Sequence, residues 1–380
     1  MPKIYIVGAS LTKIDRHFDK SIKDLVSEVY DSLISNLKED SIDAVVVSSA
    51  LSGVIYNQLN LASIITDYLQ LKDLSVYNVE LGEASGASAI HIAFSLVRSG
   101  IHKSVLVIGV DKLSEYPTWK ANRLYSMVLD SEIDYHYGIS PVNYAALLTK
   151  LYMKRYGYSR NDLTYWPVLM HQNATKVPHA QLRFPISPQK ALSGLTMSEP
   201  LTIYDTWPIG DGAAALLIAN EDIARKYSDE LVELAGIGSS GSDLGIPSRD
   251  DPLYFPNTYR AFRRALSMAN IDGKGLRTYE IHDNYTISAI LTLEALGLTE
   301  RGGGCRFVKE LSSGNVGLGI NLSGGLKARG HPLGATGVYQ VAEIYMQLIG
   351  KFPISVDAEV GLAHNMTGLD FTTFITILRR

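Results

Sequence analysis

Cysteine is almost missing from this chain: there is one, Cys305, in 380 residues. A lone thiol excludes an intramolecular disulfide and any metal centre built on several cysteines, and no metal is expected. Charge of one sign is also lacking. The 35 Lys and Arg are offset by 39 Asp and Glu, for a net charge of -4, and they form no basic block or stripe. Nucleic acid is therefore not an expected partner, because neutralising phosphates needs clustered cations. No uninterrupted apolar run approaches the roughly 20 residues that span a bilayer. The opening MPKIYIVGAS has no basic segment followed by a long apolar one, so it does not read as an export signal. These absences lead us to expect a soluble, cytoplasmic protein with no membrane partner. What is present is interior: 46% of residues are hydrophobic, enough for one large core or two fused ones.

The apolar residues come in two alternating patterns. KIYIVGAS, IDAVVVSSAL, LSVYNVEL and KSVLVIGVD read as strands buried on both faces. Between them, IKDLVSEVYDSLISNLK and SGASAIHIAFSLVRSG carry apolar residues at helical spacing. The alternation predicts an α/β protein with helices on both sides of its strands. The plan then repeats. LVELAGIGSSG stands where MPKIYIVGAS opens, LRTYEIHDNY answers IDAVVVSSAL, and SGGLKARGHPLGATGVYQVAEIYMQLIG answers GEASGASAIHIAFSLVRSG. EVGLAHNMTG and FTTFITIL close the second half as KSVLVIGV and DGAAALLIAN close the first. This predicts two duplicated halves, 1–228 and 229–380. Residues from about 115 to 200 break the rhythm with irregular, aromatic sequence, as an inserted loop domain that meets substrate would.

Within NVELGEASGASAIHIA (78–93), an extended run meets a small-residue turn and an amphipathic helix. A reactive side chain belongs at the end of such a strand, and the residue there is Glu83. Five motifs in order then give the chain a likeness. NLSGGLKARGHPLGATG (321–337) is very similar to the Gly-His-Pro block of the thiolase superfamily. HQNATKVPHAQ (171–181), PLTIYDTWPIGDGAAA (200–215), EIHDNYT (280–286) and GLAHNMTG (361–368) follow that family's order. Over essentially its whole length the chain resembles this superfamily, and within it the sterol-carrier-protein-type and archaeal thiolases. The resemblance implies two αβ halves in a five-layer α-β-α-β-α arrangement, a homodimer or larger thiolase-type assembly, and a CoA thioester as substrate or ligand with no bound cofactor. Relatives also assemble with small zinc-ribbon and OB-fold partners.

In such enzymes a cysteine above a helix N-terminus takes up the acyl group, and the resemblance puts Glu83 at that position. A carboxylate is a poorer nucleophile than a thiolate, and its acyl product would be a mixed anhydride. A glutamate near a helix start ordinarily faces water as a cap, whereas the motif places Glu83 in the central cavity. His331, in RGHPLGATG, matches the histidine that activates the cysteine. His282, in EIHDNYT, matches one that binds the thioester oxygen. Where those relatives carry an acid/base cysteine, this chain has Asn284, which donates to an oxyanion but shuttles no proton at neutral pH. Tyr285 follows it and reads as a packing residue. Trp207 replaces a small hydroxyl residue that lines the pantetheine tunnel, and so is expected to narrow or plug it. Gly334, His364 and Gly368 complete the residues expected toward substrate or CoA, and Thr367 stands where the pattern has glycine. Cys305, in RGGGCRF, reads as a free thiol in a glycine loop, away from the site. Ser85 and Ser88 are the hydroxyls nearest Glu83.

Two expectations follow. One is an enzyme acting on a CoA thioester without an acyl-cysteine, through enolate chemistry such as a retro-aldol cleavage or decarboxylation. The other is a non-catalytic subunit that scaffolds an active paralogue or a zinc-ribbon/OB-fold partner.

Overall fold

The Val-, Ile- and Ala-rich runs become strands of one continuous sheet in the computed structural model, which describes residues 2–39, 41–241 and 245–380. In chain order the strands are β1 (Ile4–Leu11), β2 (Ala44–Ser48), β3 (Ser75–Val79), β4 (Ser104–Asp111), β5 (Thr196–Ser198), β6 (Leu201–Thr202), β7 (Gly212–Asn220), β8 (Val232–Gly241), β9 (Leu276–Glu280), β10 (Gly319–Ile320), β11 (Val360–Thr367) and β12 (Thr372–Arg379). β5 and β6 form a separate hairpin, and the other ten run β10-β9-β11-β12-β8-β1-β7-β4-β2-β3. Outward from the middle, the first half reads first, last, fourth, second, third strand. The second half reads the same way from β8. The two halves meet through a short antiparallel contact in which Tyr5 faces Glu233 and Ile6 faces Val232.

Burial follows position in this order. β4 and β7 are buried along their whole length, as strands covered on both faces must be. β3 departs from expectation: only Val79 is buried, because β3 is an edge strand paired with β2 alone. Its Ser75 and Asn78 suit that half-wet edge. Helices Ile22–Ile34 and Leu61–Tyr68 pack on the outer face of the first half through Leu25, Val29 and Ile65. Helix Pro256–Ala269 covers the outer face of the second through Ala261 and Ala265. Between the halves lie helices Ser85–Arg98 and Thr336–Leu348, which contact each other and strands of both. The layers are therefore α-β-α-β-α. Among the described residues, no helix is long and apolar enough to cross a membrane.

The two central helices approach most closely at their N-terminal ends. A Cβ on Gly337 would lie 2.3 Å from the Ala87 nitrogen, and one on Gly86 would lie 2.8 Å from the Gly334 oxygen. Both obstacles are backbone, so neither can rotate away. Glycine at these two places lets both helix starts converge on the central cavity. Gly337→Ala is expected to destabilise the fold by about 1–3 kcal/mol through overpacking, read as a lowered midpoint in urea unfolding. An unchanged midpoint would mean that the crossing is looser than described.

Candidate functional site

Glu83 ends the turn between β3 and the Ser85–Arg98 helix, and its side chain is fully buried. It does not cap the helix in water. The turn is held by Ser85, whose hydroxyl donates to the Gly82 carbonyl and accepts the Leu81 N–H. Thr367 closes it from the second half, donating to the Leu81 carbonyl at 2.6 Å and accepting the Ala84 N–H at 3.1 Å. Ser85 is thereby occupied in backbone bonding, and Glu83 is the group presented to the cavity.

Five donors converge on that carboxylate. Oε1 is 2.8 Å from the Tyr125 hydroxyl, 3.0 Å from His331 Nε2, 3.2 Å from Asn284 Nδ2 and 3.3 Å from His282 Nε2. Oε2 accepts the Gly368 N–H at 2.6 Å. Each donor is itself positioned. His331 Nδ1 is 2.6 Å from the Thr336 hydroxyl, and His282 Nδ1 is 3.0 Å from Asn365 Nδ2. Asn284 also donates to the Gly368 carbonyl and accepts from Ser288. His364 stands one step back: its Nδ1 accepts the His282 backbone N–H, and its Nε2 faces the Thr258 hydroxyl.

Burial alone would raise the Glu83 carboxyl. The hydrogen bonds from His282 and His331, then the charge these rings carry in the acid range where the carboxyl itself titrates, outweigh it and hold the group well below the usual carboxylate range. The N-terminal end of the adjacent helix favours the same anion. Burial pushes the His331 ring down to about 4 against the opposing pull of Glu83, so at neutral pH a neutral ring donates Nε2–H. The Tyr125 hydroxyl is raised well above its ordinary value by burial and by the Glu83 charge, and stays a donor.

The remaining residues expected toward substrate divide. Trp207 packs edge-on between Tyr125 and His331, with ring centroids 5.1 and 4.9 Å away. The space beside it, bounded by Asn122, Pro141, Met197 and Tyr285, is only about 70 Å³. Gly334 does not line the central cavity. It donates its N–H to Asp111 and accepts from Ser48, joining the Gly-His-Pro turn to β2 and β4. A cavity of about 510 Å³ instead reaches Glu83 and Tyr125 from the side of Leu51, Val54, Leu81 and Met127. Cys305 is not in a loop: it lies in the first turn of helix Gly304–Ser312, 2% exposed. Burial first, then Asp162 and Glu294, push its thiol far up. Tyr125, Thr336 and Asn365 went unassigned from sequence. The last two lie inside the motifs of His331 and His364, five residues and one residue further on, but nothing in the sequence sets them behind a ring nitrogen; Tyr125 sits in the irregular insertion, where nothing marks it.

A duplicated five-layer α/β fold whose central helices start beside a buried cluster of this kind defines a thiolase-type protein. The chain belongs to the thiolase family. The family model "Thiolase, N-terminal domain" matches residues 4–193, and "Thiolase C-terminal domain-like" matches 238–380. An acetyl-CoA acetyltransferase of Methanothermobacter thermautotrophicus is 31% identical over 100% of both chains. Sterol carrier protein 2 of Rattus norvegicus is 26% identical over 100% of this chain and 72% of its own. Among solved structures, the Ltp2-ChsH2(DUF35) aldolase matches with a TM-score of 0.82 at 18% identity, covering 100% of this chain and 98% of that one.

The strand that delivers His282 ends in a second buried carboxyl. Glu280 accepts from Ser323 N–H and hydroxyl and from Gln347, and burial, then the neighbouring Glu343, raise it to about 8. The folded chain thus keeps a proton that the unfolded chain loses near the ordinary glutamate value. Its contribution to stability is full below that value and is lost as pH rises toward 8. Melting temperature is expected to fall between pH 6.5 and 8, and Glu280→Gln to shrink that fall. An identical pH profile in the variant would show Glu280 to be ionised in the fold.

Proposed function

We propose that this protein binds a CoA thioester and makes or breaks a carbon–carbon bond in it without forming an acyl-cysteine. The observation that carries this reading is that the cavity presents an anionic Glu83 among five donors, while the single thiol is buried in another helix. Names of relatives and neighbours, acetyl-CoA acetyltransferase and an aldolase, support thioester and aldol-type chemistry respectively.

The donors give Glu83 a conditional basicity. Alone, it holds all five and is a weak base. A thioester oxygen that takes the His282 and Asn284 donors removes part of what stabilises the anion, and its proton affinity rises. For a 3-hydroxyacyl thioester, Glu83 accepts the hydroxyl proton as the bond between the second and third acyl carbons breaks. The carbonyl product departs, the enolate oxygen stays on the donors, and the Glu83 proton returns to carbon. Atoms balance without an external reactant. Retro-aldol cleavage is favoured over decarboxylation because a second carboxylate would have to approach the Glu83 charge.

A second reading, a non-catalytic subunit scaffolding an active paralogue or a zinc-ribbon/OB-fold partner, draws on Trp207 and the small space beside it. The second component named in the aldolase neighbour, ChsH2(DUF35), supports assembly with a partner protein. A homodimer is part of either reading, and the unpaired edge of β3 supports it.

Calorimetric titration with acetyl-CoA and a longer acyl-CoA separates the two. Saturable binding is expected, with Glu83→Gln abolishing cleavage of a 3-hydroxyacyl-CoA while changing affinity less than about threefold. Absence of binding to any acyl-CoA would favour the scaffold. Trp207→Ser, which removes the indole beside His331, is expected to tighten acyl-CoA binding about tenfold, the scale of a few lost packing contacts; unchanged affinity would mean that ligand never passes Trp207.

A further inference from the structure

The carboxylate and the two imidazoles are arranged in a second useful way. One ligand atom from each of Glu83, His282 and His331 lies within 4.8 Å of the other two, and all three residues are fully buried. Ligands bonded to one metal ion at about 2.0–2.2 Å stand about 2.9–3.5 Å apart, depending on geometry. The two pairs that share Oε1 are at 3.0 and 3.3 Å. Two histidines and one carboxylate form a donor set suited to zinc, iron, cobalt or manganese.

The surroundings fit a cation as well as they fit two N–H protons. A metal-bound Nε2 requires the other ring nitrogen to carry the proton and donate it. For His331 the acceptor is the Thr336 hydroxyl, which serves in either role. For His282 the neighbour is Asn365, whose Oδ1 is buried and has no hydrogen-bond partner. Turning that amide over puts Oδ1 against His282 Nδ1, which supplies the acceptor and leaves Nε2 bare toward Glu83. Access fits too. The 510 Å³ cavity that reaches Glu83 also holds Glu80 and is lined by no Lys or Arg, so its charge favours an entering cation. Tyr125, whose hydroxyl meets Glu83 Oε1 at 2.8 Å, lines the same cavity, so the cluster faces that cavity through Glu83 and this phenol. This departs from the expectation of no metal, which rested on the lone cysteine and so bears only on thiolate centres.

We propose that Glu83, His282 and His331 bind one divalent first-row transition metal ion, open on its fourth side to the cavity. Such an ion polarises a carbonyl oxygen in the place that the five donors otherwise serve. The site does not depend on the thioester reading, and its test contains no CoA.

The full-length chain, treated with a chelator and dialysed, is titrated with Co²⁺ and followed by visible absorption, then challenged with Zn²⁺. One equivalent per chain is expected, with the strong visible bands of a four- or five-coordinate site that Zn²⁺ abolishes. Glu83→Gln and His331→Gln are each expected to weaken Co²⁺ at least tenfold. Less than a tenth of an equivalent bound by the unmutated chain, or a spectrum of fully hydrated Co²⁺, overturns the proposal whatever the variants do. Equal binding by both variants overturns it as well. If a variant does not fold, a Zn²⁺-soaked crystal decides: an anomalous peak between the three ligand atoms supports the site, and peaks only elsewhere overturn it.

Discussion

One buried charge organises this molecule. The Glu83 carboxylate is withdrawn from water, and an uncompensated ion in that position would cost several kcal/mol. Compensation comes from every part of the fold. Tyr125 arrives from the inserted segment, His282 and Asn284 from the end of β9, His331 from the start of a central helix, and the Gly368 N–H from the end of β11. No single half could supply them. The duplication is therefore more than an economical way to build a sheet: it brings two strand ends and two helix starts to one point.

That convergence has its own requirement, which is close approach. Helices at ordinary spacing would leave the helix starts too far apart for Glu83 and His331 to meet. The contact of Gly86 with the Gly334–Val338 backbone, and of Gly337 with Ala87, removes the space that side chains would take. Thr367 adds a tie across the halves by bonding both sides of the Glu83 turn. A side chain at that place looks, in sequence, like crowding in a turn. In the fold it is a brace, and the adjoining N–H still points at Glu83.

Legibility in the sequence followed the range of the interactions involved. Strand and helix alternation is local, and so were the turns that carry Glu83 and His331; their motifs sit within a few residues of the chemistry. β3 was misread because apolar content does not say whether a strand has one neighbour or two. Cys305 was misplaced because three glycines before it read as a loop, although helix Gly304–Ser312 begins directly after Gly303. Tyr125 could not be found at all. Its hydroxyl reaches across 42 residues of chain, from an insertion whose pattern carries no period. Thr336 and Asn365 lay inside quoted motifs, yet a role behind a histidine shows only once the ring nitrogens have directions.

The two spaces that meet at Tyr125 impose opposite conditions on a ligand. On the Trp207 side the volume is small and the wall is aromatic; on the other it is larger, mostly apolar, and carries Glu80 with no basic residue. Phosphates are repelled by the second and have no room in the first. A CoA ester must then leave its charged end outside, on whichever side it enters, and admit only the uncharged arm and acyl group. Whatever oxygen arrives must also win donors from a carboxylate that already holds five. A neutral carbonyl competes poorly for them, and an enolate carries a charge of its own and competes better. The same competition acts against any ligand that brings no negative charge in its reacting state. On the proposed function the cluster would therefore discriminate by developing charge rather than by shape, which is the property expected of a site built around an oxyanion.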